Sequence, residues 1–288
     1  MNSLSENHAM TDQRARAIRF RQLHHDSAIL VLPNAWDAAS ARIFEAVGFP
    51  AVATTSGGVA NSLGYPDGQH IPREEMLFMV RRIARTVHIP VTADIESGFG
   101  ATVEAVVETV RAVIEAGAVG INLEDSVRSE EKHLLPIPDQ VERIRALRAL
   151  GEEMGVPLVI NARTDAYLVP MEPDARFEVA VERANAYLAA GADCAFPILV
   201  TDADTIRRLV EAIPGPINVL ALPGVPAVSD LERLGVKRVS MGAGPCRATM
   251  GLTRRIAEEL RERGTYRAFL EGAMPSGEAN GLFLQRGS

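Results

Sequence analysis

The chain has 288 residues, of which 47% are hydrophobic, so one large domain or two small ones could bury a substantial core. Its net charge of −7 argues against nucleic acid as a main partner, yet leaves room for a local positive site that holds a small anion. Cys194 and Cys246 make no disulfide framework, the first twenty residues hold no apolar signal core, and no eighteen-residue apolar run occurs; a cytoplasmic chain without a membrane span is expected.

Residues 11–26 read as an N-terminal helix, and 28–34 as a first strand. A pattern then repeats at 45–55, 115–124, 189–198 and 232–242: a helical stretch closes on a small residue and Gly, and a short β-branched run follows. Gly48, Gly117, Gly191 and Gly235 stand where a helix C-cap belongs. Between these lie three strands introduced by proline, at 88–96, 155–163 and 215–221, a position where proline is tolerated. Helical patterns, such as 103–115, 139–151 and 176–189, separate the strands. Eight strand–helix units predict an α/β fold of the (β/α)8 barrel type. A doubly wound open sheet is the alternative, but no G-x-G-x-x-G follows the first strand. Residues 246–288 add one or two helices and a polar tail, and no Gly-, Ser- or Pro-rich linker divides the chain. A single barrel domain over 1–288 is expected.

In such a barrel the C-terminal strand ends form the site. Strand alternation places Thr92, Asp94 and Glu96 on one face of the third strand. It does the same for Asn122 and Glu124 on the fourth, and for Asn161 and Arg163 on the fifth. Buried carboxylates need compensation. Satisfied core polars would be the bland explanation for one strand; three strands in register favour a site. Carboxylates without clustered His or Cys suit a hard cation such as Mg²⁺, and the six histidines show no zinc spacing. Arg163 offers a fork for a carboxylate or phosphonate, or else a structural ion pair with Glu124 or Asp165. After the second strand, Gly57 and Gly58 would let backbone N–H groups approach an anion and Ser56 adds a hydroxyl, unless the segment is only a turn. Asp67, within a Pro-Asp-Gly turn, is equally ambiguous, and Trp36 and Asp37 either line the mouth or, for Asp37, cap a helix. The 242–245 segment reads as a turn rather than a phosphate loop, because Pro245 removes a donor. Cys194 reads as an inert core thiol, and no catalytic role is expected of Cys246.

Five segments, TTSGGVANSLGYPDG (54–68), ADIESGFG (93–100), INLEDS (121–126), NARTDA (161–166) and AGADCAFP (190–197), together resemble the isocitrate lyase / phosphoenolpyruvate mutase superfamily, with methylisocitrate lyases nearest around the first. The resemblance implies a barrel with a swapped C-terminal helix and a homotetramer built as a dimer of dimers. It implies Mg²⁺ held directly by Asp94 and through water by Asp67, Glu96 and Glu124. It places Ser56, Gly57, Gly58 and Arg163 on the carboxylate and oxyanion of a small anionic 2-oxo acid. Asp94 and Asn161 complete that substrate-binding set, and Arg163, Glu124 and Ser56 are the catalytic candidates. The implied chemistry is cleavage of a C–C bond beside an enolate; C–P chemistry of the mutase or phosphonopyruvate hydrolase type is the alternative, and a non-catalytic 2-oxo acid binder a third reading.

The chain departs from the pattern in places. Asp94-Ile-Glu96 replaces the usual Asp-x-Asp, and the lyase loop with its proton-donating Cys is absent from 126–142. The lyase Glu after the sixth strand is replaced around Pro197-Ile198, and Asn218 is offset from the usual seventh-strand Asn. Lys132 or His133 could supply the acid, although a solvated Glu-Glu-Lys-His run is favoured.

Overall fold

The computed structural model of the protein describes residues 3–127 and 132–284, with side chains from residue 11 onward. Helix α1 (Ser3–Leu23) begins earlier and stops sooner than the 11–26 expected. Its Gln13 amide donates to Ile114 O and Ala118 O, and Arg21 Nε meets Asp193 Oδ1 at 2.8 Å. Those bonds hold α1 across the N-terminal end of the strands. Phe20 is fully buried there, and a Cβ on Gly120 would come within 2.9 Å of its ring, so the barrel floor closes on a glycine.

The strand–helix alternation then runs as the spacing predicts. Strands β1 (Leu30–Leu32) and β2 (Asn34–Ala35) are one run interrupted at Pro33, which has no N–H to donate. Then come α2 (Ala38–Val47), β3 (Val52–Thr54), α3 (Ser56–Ser62), α4 (Arg73–Thr86), β4 (Val91–Asp94), α5 (Val103–Glu115) and β5 (Gly120–Glu124). A small antiparallel pair follows, β6 (Ser126–Val127) with β7 (His133–Leu134). The alternation resumes with α6 (Ile137–Glu153), β8 (Val159–Thr164), α7 (Pro173–Ala189), β9 (Cys194–Pro197), α8 (Ala203–Ala212), β10 (Asn218–Leu220), α9 (Val228–Arg233) and β11 (Arg238–Ser240). Helices α10 (Gly244–Arg263), α11 (Arg267–Leu270) and α12 (Ser276–Leu284) end the described chain. Gly48, Gly117, Gly191 and Gly235 all take positive φ after their helices.

All barrel pairings are parallel, in the order β2-β3-β4-β5-β8-β9 and β1-β11-β10. The two sets join twice. Pro33 links β1 to β2 through the chain, and its carbonyl accepts Ala53 N at 2.8 Å. At the other seam a single bridge, Ala195 to Ile217, joins β9 to β10. The order thus returns on itself around eight strand positions among the described residues.

The apolar alternates of the strands face the helices. Ile121, Leu123, Leu158 and Ile160 are fully buried and pack with Val106, Val110 and Val113 of α5, spaced to share one helix face. Thr102 caps that helix by accepting Ala105 N. Each such fully buried valine or leucine contributes roughly 1.5–3 kcal/mol. The polar alternates are thereby turned toward the lumen and the C-terminal mouth. No described helix is long and apolar enough to cross a membrane.

Candidate active site

The acids gather at the C-terminal mouth around Asp94, the last residue of β4. Its Oδ2 accepts Ser56 N at 2.9 Å, its Oδ1 accepts Asn122 Nδ2 at 3.0 Å, and its own N donates to Thr54 Oγ1 at 2.8 Å. Asn122 Oδ1 in turn accepts Asn161 Nδ2 at 2.8 Å. A relay across three adjacent strands therefore fixes the carboxylate's orientation. The strand-register expectation for Thr92, Asp94, Asn122, Glu124, Asn161 and Arg163 holds, because β4, β5 and β8 pair Asp94 with Asn122, Asn122 with Asn161, and Glu124 with Arg163.

Glu96 arrives by another route. The strand ends at Asp94, so alternation does not place Glu96; a left-handed turn with φ +51° does. That backbone conformation is unfavourable for a side-chain-bearing residue and clusters at functional sites. Glu96 is 7% exposed, and burial, then the charges of Asp94, Glu124 and Asp67, push its carboxyl up to about 8.

Arg163 makes both ion pairs that the sequence allowed: Nη1 to Glu124 Oε1 at 2.5 Å and Nε to Asp165 Oδ1 at 2.6 Å. Burial raises the Glu124 carboxyl against the pull of Arg163. Burial also works to raise Asp165, but the charges of Arg163 and Lys132 outweigh it and hold that carboxyl below the usual range. Lys132 stays 39% exposed, yet its Nζ reaches Asp165 Oδ2 at 2.9 Å and Glu124 Oε2 at 3.7 Å, ion pairs the sequence reading did not anticipate; Glu130 and Glu131 of the same run lie outside the described residues. The β6–β7 pair turns it back over the mouth. His133 beside it is exposed.

The Ser56-Gly57-Gly58 segment is the first turn of α3 rather than a loop, with Thr55 as N-cap accepting Gly58 N. Ser56 N is committed to Asp94. The glycines serve close approach: a Cβ on Gly57 would lie 2.7 Å from Asp67 Oδ2, and one on Gly58 2.6 Å from Thr55 Cγ2 and 2.9 Å from Trp36 Cβ. Asp67 is thus brought over α3 from its turn. Asp37 is the N-cap of α2 in a reciprocal capping box with Ser40. The N–H groups of Met241 and Gly242 are taken by Asn34 Oδ1 at 2.8 and 2.9 Å, and the expected turn is confined to Gly242 and Ala243, since Gly244 and Pro245 already open α10. Cys194 is fully buried, and burial pushes its thiol up to about 12. Cys246 is buried against Gly58.

Behind these residues lies a support that the sequence reading missed. Asp125 Oδ1 accepts Asp165 N at 2.8 Å, and its Oδ2 accepts Arg183 Nη1 at 3.0 Å and Tyr187 O–H at 2.8 Å. Arg183 Nη2 also donates to Leu135 O at 2.9 Å. The only signal for it was that Asp125 follows Glu124; nothing local marks Arg183 and Tyr187, one turn apart on α7, as its partners.

Asp94, Asn122, Asn161, Arg163, Ser56 and Asp67 line one cavity of about 260 Å³. That is at or below the low end of the roughly 300–1,000 Å³ usual for ligand pockets, which suits a small ligand. Among the described residues, no three His, Cys, Asp or Glu side chains converge as a ready-made cage. The donor set nonetheless fits a hard cation held by one direct carboxylate and by others through water, since it is all oxygen and Glu96 is crowded by three like charges.

A parallel barrel with acids, a paired arginine and a small cavity at its C-terminal mouth has the α/β architecture in which sites form at the strand ends. Residues 20–261 match the family model described as phosphoenolpyruvate phosphomutase, and the chain belongs to that family, within the isocitrate lyase / phosphoenolpyruvate mutase superfamily. It is 31% identical over 247 residues to 2-methylisocitrate lyase of Escherichia coli K12, covering 82% of this chain and 81% of that one. A solved lyase/mutase-type structure from Burkholderia cenocepacia J2315 superimposes with a TM-score of 0.88 at 36% identity, covering 96% of this chain and 98% of that one. Oxaloacetate acetylhydrolase in complex with its product oxalate superimposes at 0.80 and 25% identity, covering 91% and 90%.

Proposed function

We propose that the protein is a Mg²⁺-dependent lyase that breaks a C–C bond of a small 2-oxo or enolate-forming carboxylate. The observation that carries this reading is the Ser56–Asp94–Asn122–Asn161 relay, which aims one oriented carboxylate into a small cavity beside a doubly paired arginine. Asp94 would hold the cation directly, with Asp67, Glu96 and Glu124 acting through water. When bound, Mg²⁺ supplies Lewis acidity at the substrate's 2-oxo oxygen. Arg163, fixed by Glu124 and Asp165, offers a preset positive charge to the substrate carboxylate, so little side-chain freedom is lost on binding. Ser56 contributes its hydroxyl at the same wall. That loop has no cysteine, and its Lys132 Nζ, 3.7 Å from Glu124 Oε2, is a proton-bearing group within reach of the site. Both named relatives, one acting as a 2-methylisocitrate lyase and one on oxaloacetate, support C–C cleavage over C–P chemistry.

We also propose a homotetramer. Met250, Leu260, Phe269, Leu270 and Leu284 of α10–α12 expose apolar surface that a second copy would cover. The decisive experiment is metal-dependent consumption of 2-oxo acids across a panel including oxaloacetate, methylisocitrate and phosphonopyruvate. Turnover of either of the first two that vanishes in Asp94→Ala supports the reading. Turnover of phosphonopyruvate alone would transfer the function to C–P chemistry, and ligand-induced thermal stabilisation without turnover would make the chain a binder.

A further inference from the structure

Below the acids lies a cation that the proposed chemistry does not use. Arg238, carried by β11, is 2% exposed inside the lumen and lines the same cavity as Asp94 and Arg163. Its Nε has no hydrogen-bond partner, and its Nη1 lies 3.4 Å from His24 Nε2. No ion pair joins Arg238 to a described carboxylate. The neighbours are neutral: burial holds His24 down to about 3 and lifts Cys194 to about 12. Asp94, the acid whose charge it feels, is already engaged by Ser56 and Asn122.

The same floor carries unpartnered acceptors. Asn218, opposite Arg238 in the β10–β11 register, gives its Nδ2 to Ser240 Oγ at 3.1 Å and leaves Oδ1 without a partner. Asn161 Oδ1 and Thr92 Oγ1 are likewise unpartnered, and all three residues line the cavity. A buried guanidinium without a counter-ion is unfavourable, and unpartnered buried polar atoms are uncommon. A core built only for stability would have placed an apolar residue or an acid here.

We propose that Arg238, with Asn218 beside it, forms a second anion subsite on the cavity floor that takes the distal carboxylate of a dicarboxylic 2-oxo acid. The subsite rests on the function proposed above, in which Arg163 holds the first carboxylate. The free amide oxygens accept from a hydroxyl or water that accompanies the bound group. A cavity of about 260 Å³ requires the two carboxylates to be only a short chain apart.

The test compares pyruvate with oxaloacetate and 2-oxoglutarate, titrated calorimetrically with Mg²⁺ into wild type, Arg238→Met and Arg238→Lys. Arg238→Met should weaken the better dicarboxylate by about 30-fold, which at tenfold per 1.4 kcal/mol is about 2 kcal/mol. Pyruvate affinity should stay within about twofold, which also shows that the variant is folded. Arg238→Lys should recover part of the loss. Dicarboxylate affinity unchanged in Arg238→Met, or an equal loss for pyruvate, would leave Arg238 a structural cation and overturn the subsite alone. Wild type that binds neither pyruvate nor the dicarboxylates would overturn the subsite and the proposed function together.

Discussion

Gly57 and Gly58 are neighbours in the first turn of α3, yet alanine at each should fail in a different way. At position 58 the new Cβ would meet Thr55 Cγ2 at 2.6 Å, Trp36 Cβ at 2.9 Å and Cys246 Cβ at 3.4 Å. Thr55 is 3% exposed and its hydroxyl caps α3, so it cannot turn away without releasing the cap. Overpacking of this kind costs about 1–3 kcal/mol, offset by up to about 1 kcal/mol from the helix preference of alanine. At about 2–4 °C per kcal/mol, Gly58→Ala should lower Tm by several degrees. At position 57 the obstacle is the Asp67 carboxylate, 2.7 Å from the new Cβ, at the end of an exposed side chain that can move. Gly57→Ala should therefore leave Tm nearly unchanged while pushing Asp67 out of the site. If Asp67 supports the cation through water, Mg²⁺ affinity should fall about 10–100-fold, the usual effect of removing such a partner. Scanning calorimetry and Mg²⁺ titration of both variants separate the effects. Gly57→Ala with the Tm loss of Gly58→Ala and wild-type Mg²⁺ affinity would refute the reasoning.

His24 should make the fold acid-sensitive. Burial, then Arg238, depresses its folded pKa from 6.5 to about 3, so its contribution is complete above pH 6.5 and is lost as pH falls; urea titrations should show a slope about 1.4 kcal/mol per pH unit steeper in wild type than in His24→Gln. Arg183→Met should destabilise by about 3–5 kcal/mol, because it strands the Asp125 charge, and adding Asp125→Asn should recover much of that in denaturant melts. Cys194 should resist a thiol reagent at pH 8 until urea unfolds the chain, since its thiol is fully buried and its pKa lies near 12; prompt labelling in native protein would contradict the packing. Arg163→Lys should reduce kcat/KM at least tenfold with Tm within a few degrees, because a lysine keeps the charge but not the fork that meets Glu124 and Asp165 together.

The barrel was legible because its signals are local. Proline at strand entries, glycine after helices and alternation within each strand are all short-range consequences of backbone sterics and burial. The same alternation located Asp94, Asn122, Glu124, Asn161 and Arg163. It misjudged how Glu96 gets there, because a left-handed turn follows Asp94 and one-dimensional spacing carries no φ. It did not pair Lys132 with Asp165, because a charge run carries no sign of which distant carboxylate one of its members reaches. Arg183 and Tyr187 were invisible for a further reason: their meaning comes from Asp125, about sixty residues earlier in the chain, and only the packing of α7 brings them together. The Ser56-Gly57-Gly58 segment stays open between an anion-binding loop and a plain turn in the sequence, because glycine spacing alone does not distinguish a ligand's approach from a neighbouring side chain's.

The two halves of the barrel wall are not equally tied. Between β5 and β8 five consecutive residue pairs are in register, and those strands carry Glu124, Asn161 and Arg163. Between β9 and β10 the backbone pairing is a single bridge, Ala195 with Ile217, made in part by Ala195 N to Pro216 O at 2.9 Å. Phe196, Leu220 and Asn218 stand on either side of that seam and line the cavity. Amide hydrogen exchange should be slow along β4, β5 and β8 and faster at the seam. Phe196 at that seam is the register partner of Arg163, whereas Asp94 stands two strands further round on β4, so a shift of the seam would be felt at Arg163 before it reached Asp94.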